Sequence, residues 1–581
     1  MNNSTQNSYA NLLASILIFC AALVFSPGPA GSAAAEPASS AASPEALRLG
    51  ERIYREGILS SGDLLRASVK EGLSVPGTTF ACASCHLRSG LGALEENVYI
   101  PPINGQKLFN PLPNLYKGFE QSGLSLPPLR PAYGEESLIR VLRSGVDPNG
   151  RLLSEAMPRY LIEERDARLL VDYLKSLSSR FSPGVSDTTI RFATVISEDA
   201  DPVKSGAMLA SFDNFVKMQN SQIRSFRNQQ GGAKARLMAE NMFASRELAT
   251  RIISISHWKL KGPAETWRSQ LEEYNRKEPV FALLGGIVSG PWKPVHEFCE
   301  QNMIPCLFPN TDLPVISDSD WYTLYLSKGY YQEGESAARY LNGIEAFQKG
   351  GWVVQVVGAS VEAETLATGF RQTWQELGQQ PPVTVQLPPG KVPDRDFLQQ
   401  LLPREKPVAL LVWDDAGALP ALELLQRPEE RPEAIFLSGR YLAERIWNLP
   451  EPIRDAAYLT YPFAFSPYAA RGGMGKQKVQ GDLQKSLRQA DTPLRDEALK
   501  IATLTNSLTQ QFTSLLMELK GNYYRDTLLE VAGMMPVQQY PLYGRISFGT
   551  GQHYAARGCF IVQLSHGGNP ELVKKSSWEI Q

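Results

Sequence analysis

The sequence predicts a multidomain chain in which an all-α unit is followed by a larger α/β part of two lobes. Three observations lead there. At 581 residues and 43% hydrophobic content, the chain exceeds what one core comfortably holds. Apolar positions recur at helical spacing from Leu47 and close on the amphipathic run Asp166 to Leu177. From Thr189 onward, short apolar strands alternate with amphipathic stretches, the pattern of βαβ units around parallel sheets.

Taken in order, the chain opens on a largely apolar run, Leu12 to Phe25, shorter than the roughly 20 residues a spanning helix needs. Small residues follow it through Ala33, Ala34 and Ala35, so residues 1–35 read as a secretory signal peptide. An uncleaved anchor is the alternative, because Met1 to Ala10 contains no Lys or Arg. Cys20 follows Phe19 rather than the small residue a lipidation site would need. With the signal removed, no membrane span is expected, and export points to the periplasm. Residues 36–45, rich in Ala, Ser and Pro, suit a flexible tether.

The helical unit is expected over residues 46–178 and a linker over 179–188, where Ser, Pro and Gly break the periodicity. Expected strands in the part spanning 189–575 include Ile190 to Ile196, Ile252 to Ser256, Val280 to Gly285, Trp352 to Val357, Val383 to Leu387, Val408 to Trp413 and Ile435 to Leu437. Glu265 to Lys277 and Glu333 to Leu341 read as helices between them. A balance of 58 basic and 60 acidic residues gives a formal charge of -2, which argues against nucleic acid as a partner.

The most specific chemistry lies at Cys82-Ala83-Ser84-Cys85-His86. In a C-x-x-C-H sequence two thiols can form thioethers to haem vinyl groups while the adjacent imidazole reaches the iron. A thioredoxin-like redox pair, a structural disulfide or half a zinc site would use the same cysteines. The first wants a βαβ context, and zinc needs more ligands than the two cysteines found between residues 21 and 298. One covalent haem c is therefore the expected cofactor. His86 is the only histidine and Met157 the only methionine between Glu36 and Asp187, so they are the candidate axial iron ligands. A core methionine with the sixth iron position open or water-bound is the alternative for Met157.

On these residues the first unit resembles a class I cytochrome c domain. Gly50 and Tyr54 stand where such domains carry a glycine and an aromatic four apart on the first helix, and a methionine loop precedes the last helix. The resemblance implies close crossing of these helices, with Tyr54 facing Leu170, Tyr173 and Leu174. It also implies that the Pro101 carbonyl accepts the imidazole N–H of His86, orienting it. The link from Arg55 to Ala81 is longer than usual in such domains and could reach the second part.

The larger part resembles the type I periplasmic binding fold, in particular receptors for branched-chain amino acids and amides. The resemblance is carried by Val280 to Gly290, Asn302 to Pro309, Tyr543 to Gly551 and Tyr554 to Gln563. Ligands of open α/β sheets bind beyond the carboxyl ends of strands. The resemblance implies that Ser289 and Gly290 hold a ligand carboxylate, with Asn310, Thr311 and Asp414 as further lining. The Tyr-Gly pair usual in amino acid receptors is missing after Gly358, so an amino acid ligand does not follow. Cys299 and Cys306 could form a disulfide, which would leave Cys559 unpaired. His257, His296, His553 and His566 show no metal-ligand spacing.

The leading expectation is an exported monohaem cytochrome that transfers electrons and is coupled to a module binding a small organic ligand. Its partner would be a periplasmic dehydrogenase or another cytochrome. The alternatives are a solute receptor for transport or sensing, gated by haem redox state, and a haem oxidoreductase acting on a ligand in the cleft.

Overall fold

The computed structural model describes residues 42–69, 73–95, 98–112, 129–228, 251–344, 351–405, 407–465, 492–549 and 551–578. The expected signal peptide and most of the expected tether, residues 1–41, lie outside them. Among the described residues no helix is long and apolar enough to cross a membrane.

The first unit contains α1 (Pro44–Glu56), α2 (Cys82–His86), α3 (Gly105–Leu108), α4 (Glu135–Ser144) and α5 (Glu164–Ser176). Helix α1 starts inside the expected tether, because Ser43 accepts a cap bond from Ala46 N at 3.1 Å and Pro44 suits the first turn. It crosses α5 closely: a Cβ on Gly50 would stand 2.2 Å from the Leu169 carbonyl oxygen, so only hydrogen fits. Tyr54 and Tyr173 meet across that crossing with ring centroids 5.4 Å apart. Ile53, Leu138, Leu142, Leu170 and Leu174 fill the core around them.

The unit is not all-α. Strands β1 (Arg66–Ser68), β2 (Ser74–Pro76) and β5 (Arg159–Leu161) form an antiparallel sheet in the order β2-β1-β5. A second ribbon pairs β3 (Ala93–Glu95) with β4 (Val98–Ile100). The physical reason lies in the long link after α1. Leu65 and Ala67 are buried while Arg66 is exposed, which is the two-residue period of a strand.

The larger part has two lobes. In the first, β6 (Thr189–Ser197), β7 (Ile252–Leu260), β8 (Ala282–Leu284), β9 (Cys306–Leu307) and β10 (Thr323–Leu324) form a parallel sheet ordered β10-β9-β8-β6-β7. Its helices include α6 (Pro202–Asn228), α7 (Trp267–Lys277) and α8 (Lys293–Gln301). In the second lobe, β11 (Val353–Val357), β12 (Val383–Gln386), β13 (Ala409–Trp413), β14 (Ala434–Ser438) and β15 (Ala457–Tyr461) run parallel. Helices α9 (Tyr330–Asn342), α10 (Val361–Glu376), α11 (Arg395–Glu405) and α12 (Gly439–Leu442) accompany them. Every residue of β11, β13 and β14 is buried, as expected of central parallel strands covered on both faces.

The chain then returns to the first lobe through α13 (Glu497–Glu518) and α14 (Arg525–Met534). Helix α13 lies along α6: Gln219 donates to Thr513 Oγ1 at 3.2 Å, and Phe512 meets Phe192 of β6 edge-on at 4.8 Å. After the ribbon β16 (Gln538–Tyr540) and β17 (Gly544–Ile546), the second sheet closes with antiparallel β18 (Phe560–Leu564) and β19 (Leu572–Lys574). The connector 179–188 is pinned to this returning segment, with Ser182 N donating to Tyr523 O at 3.1 Å and Arg525 N to Ser182 Oγ at 3.0 Å.

Candidate functional site

Two places carry chemistry, the turn around α2 and a cavity between the lobes. At the turn, Cys82 is buried and Cys85 exposed, three residues apart on one helical turn. Burial pushes the Cys82 thiol up to about 11. His86 is buried, and its Nδ1 lies 2.9 Å from the Pro101 carbonyl oxygen. That contact fixes the ring and leaves Nε2 as the nitrogen with which His86 could meet a ligand. Burial lowers the imidazole pKa, against the effect of the Pro101 bond, which favours the neutral ring a metal requires. Two thiols beside an imidazole bonded through Nδ1 fit a covalent haem.

Met157 lies in the loop before β5. It packs against the same apolar cluster that contains Cys82, and its amide donates to Ser154 O at 3.1 Å. Asp147 organises that loop by accepting from Asn149 N and Arg151 N, both at 2.9 Å. Arg159 braces it from the other side by donating to the carbonyls of Met157 and Leu153.

The turn after His86 is docked on the first lobe. Tyr54 donates to Leu87 O at 2.6 Å, and the Arg88 guanidinium lies 4.6 Å from the centre of the Trp321 ring. Ser89 donates to both oxygens of Glu530 on α14, from its amide at 2.8 Å and its hydroxyl at 2.5 Å. Glu530 is buried, and burial pushes its carboxyl up to about 7. Beside it Arg55 pairs with Asp526 at 2.7 Å, and Tyr322 donates to the other Asp526 oxygen at 2.9 Å. Arg55 belongs to the last turn of α1, so it is the end of this helix that meets the second part here.

The cavity has a volume of about 410 Å³, within the range that holds a small organic molecule. Ser289, Gly290, Asn310 and Thr311 line it together, whereas Asp414 is not among its lining residues. After β13 the chain turns into a short 3-10 helix capped by Asp415, which accepts from Gly417 N at 2.9 Å. Burial, then the neighbouring Asp415, push the Asp414 carboxyl up to about 6. Ser289 and Gly290 are not the first turn of α8, which starts at Lys293, and the Ser289 amide donates to Ser197 Oγ at 3.0 Å. Asn310 is held through its amide on Gly286 O at 2.9 Å.

Residues not anticipated from sequence complete the cavity. Lys204 and Lys500 both bind Glu497, at 3.0 and 2.5 Å, and Tyr330, Phe463 and Tyr543 supply aromatic wall. Asp312 pairs with Arg440, whose Nε stands 3.1 Å from the buried carboxylate of Glu333. Glu333 also accepts from Ser438 at 2.7 Å and Thr460 at 2.5 Å, and burial raises its pKa. Arg440 follows the end of β14, where strand-end logic would have found it. Glu333 is marked in sequence only by the small residues Gly334, Ser336, Ala337 and Ala338 around it, which allow close packing.

Cys299 and Cys306 are free, buried thiols, so the structure does not contain the expected disulfide; Cys559 is also free and buried. Burial, then a hydrogen bond to Cys306, raise the Cys299 thiol pKa. His296 is engaged by Asp320 at 2.8 Å and Tyr325 at 3.0 Å. Among the described residues no group of three or more His, Cys, Asp or Glu side chains could hold a metal ion.

No protein-family model matches the chain. No curated protein matches either. Among solved structures, the chain is similar to a branched-chain amino acid ABC transporter from Thermus thermophilus with bound valine, at 12% identity and a TM-score of 0.43, covering 67% of this chain and 97% of that one. It is likewise similar to a solute binding protein of an ABC transporter from Rhodopseudomonas palustris BisB5 in complex with 3,4-dihydroxy benzoic acid, at 11% identity and TM-score 0.43, covering 68% and 98%. A type 1 periplasmic binding protein from Bordetella pertussis Tohama I shares 11% identity at TM-score 0.42, covering 66% and 100%.

Proposed function

We propose that this chain is an exported periplasmic receptor that binds a small organic solute between its two lobes, and that a covalent haem on its first unit gates that binding. The observation that carries the reading is the cavity of about 410 Å³, to which the first lobe contributes Asn310 and Lys204 and the second Glu362 and Phe463. A solute touching both lobes favours their closed arrangement, which is how a binding event becomes a signal or a transport step.

Cys82, Cys85, His86 and Met157 would hold the haem, with the Pro101 carbonyl orienting His86. When bound, the haem supplies a one-electron redox centre. The chain's own contribution is to clamp the turn bearing it onto α14 through Ser89 and Glu530. Because α14 follows directly on α13, which lines the cavity through Glu497, Lys500 and Ile501, a change at the turn has a packed route to the cleft.

The test is a solute screen by thermal shift and calorimetry on the full-length holoprotein, oxidised and reduced. The reading expects saturable binding of one solute per chain, an affinity that differs between redox states, and a shift of reduction potential on binding that corresponds to the same coupling free energy. Identical affinities in both states would refute gating, and loss of nothing on Phe463→Ala would refute the cavity. Electron delivery to a dehydrogenase or second cytochrome is the second reading. It is favoured by exposed Leu94, Val98 and Tyr99 on the β3–β4 ribbon between His86 and Pro101. A solute-independent reduction rate with such a partner would support it.

A further inference from the structure

We infer that the cleft selects organic carboxylates, with Arg440 as their anchor and Asp312 as the internal carboxylate that occupies the anchor until a ligand displaces it; this rests on the solute-binding reading above. Arg440 is buried directly behind the cavity wall. Asp312, Tyr330 and Phe463 line the cavity and pack on its guanidinium, the Tyr330 and Phe463 ring centres lying 6.0 and 5.4 Å away. Tyr543 is a fourth residue lining the cavity beside it.

The guanidinium is a fork suited to two parallel bonds with one carboxylate. Asp312 uses a single prong, through Oδ1 on Nη1. The second prong, Nη2, is buried and has no hydrogen-bond partner. Glu333 takes only the Nε side. A ligand carboxylate can make both bonds where Asp312 makes one, and Asp312 is free to swing away because 43% of its side chain is exposed.

The position held by the Asp312 carboxylate is also where positive potential converges. Although burial pushes its pKa up, Arg440, Lys500 and Lys204 together hold it below the usual carboxylate range. Elsewhere the lining disfavours anions. Four further carboxylates, Asp199, Asp201, Glu362 and Glu497, face two ammonium groups, and both lysines are paired with Glu497. An acid therefore gains at one point only, which is a basis for selectivity rather than general anion affinity. The Ser289 amide, bound to Ser197, is not available for that role.

The experiment uses the full-length protein and three probes of one shape, benzoate, benzamide and benzamidine, with calorimetry on wild type and Asp312→Ala. Benzoate should bind at least about tenfold more tightly than the other two, and about tenfold more tightly again once its internal competitor is removed. Preference for the amide or amidine, or weaker benzoate binding by Asp312→Ala, overturns the proposal while leaving a solute receptor in place. A second arm follows the melting of Asp312→Ala in acetate against acetamide. Saturable stabilisation by acetate alone supports the anchor even if wild type binds none of the three probes, which would count against the receptor reading instead. Equal effects of acetate and acetamide overturn the anchor. Should Asp312→Ala not fold, Asp312→Asn carries both arms.

Discussion

Replacing Glu530 offers a sharp test of how the two parts of the chain are joined. Both of its oxygens accept from Ser89, and it is 6% exposed. Burial raises its pKa from 4.5 to about 7, opposed by the Ser89 hydroxyl and reinforced by Asp526. A carboxyl whose folded-state pKa is raised contributes stability fully present below its unfolded pKa and lost as pH rises through the folded value. At roughly 1.4 kcal/mol per pKa unit, the docked arrangement should lose about 3 kcal/mol between pH 4.5 and 7.5 from this group alone. Glu530→Gln keeps an acceptor for the Ser89 amide and a donor for its hydroxyl without the charge, so it should abolish that pH dependence and match or exceed wild type at pH 7.5. Glu530→Ala strands the Ser89 groups and should cost about 2–4 kcal/mol throughout. Calorimetric melting of the three proteins across this range reads the effect. Parallel pH profiles for wild type and Glu530→Gln would refute the reasoning.

Other substitutions probe other contacts. Gly50→Ala places a methyl 2.2 Å from the Leu169 carbonyl oxygen and should destabilise the first unit by at least about 2 kcal/mol, seen as faster proteolysis of the α1–α5 region. Arg440→Met leaves Glu333 buried without its cation and should cost about 3–5 kcal/mol in urea unfolding; Glu333→Gln in the same chain should recover part of it. Met157→Ala should lower the haem reduction potential and change the haem absorption spectrum in redox titration, and unchanged spectra would exclude Met157 as ligand.

What the sequence made legible was local. Cys82, Cys85 and His86 stand out because the chemistry needs those residue types within one helical turn. Ser289, Asn310 and Thr311 stand out because strand ends in α/β sheets collect ligands. The strands of the first unit escaped notice because β1, β2 and β5 are three residues each, too short for alternation to register. The Asp312–Arg440–Glu333 network escaped for another reason. Arg440 lies 128 residues from Asp312 and 107 from Glu333 along the chain, and no periodicity encodes such a pairing. Asp414 met the strand-end rule yet stands outside the cavity, since that rule identifies an end of a sheet and not the direction of the loop that follows.

The contact between Ser89 and Glu530 also sets an order of assembly. The two residues are 441 positions apart. At about 5–20 residues per second, synthesis places roughly 20–90 s between them. Throughout that interval the turn that follows His86 has no acceptor from α14. Once α14 is in place, the same turn is closed over by a buried carboxyl. The joint therefore depends on the far end of the chain, and a truncation that removes α14 would leave the Ser89 amide and hydroxyl without their acceptor.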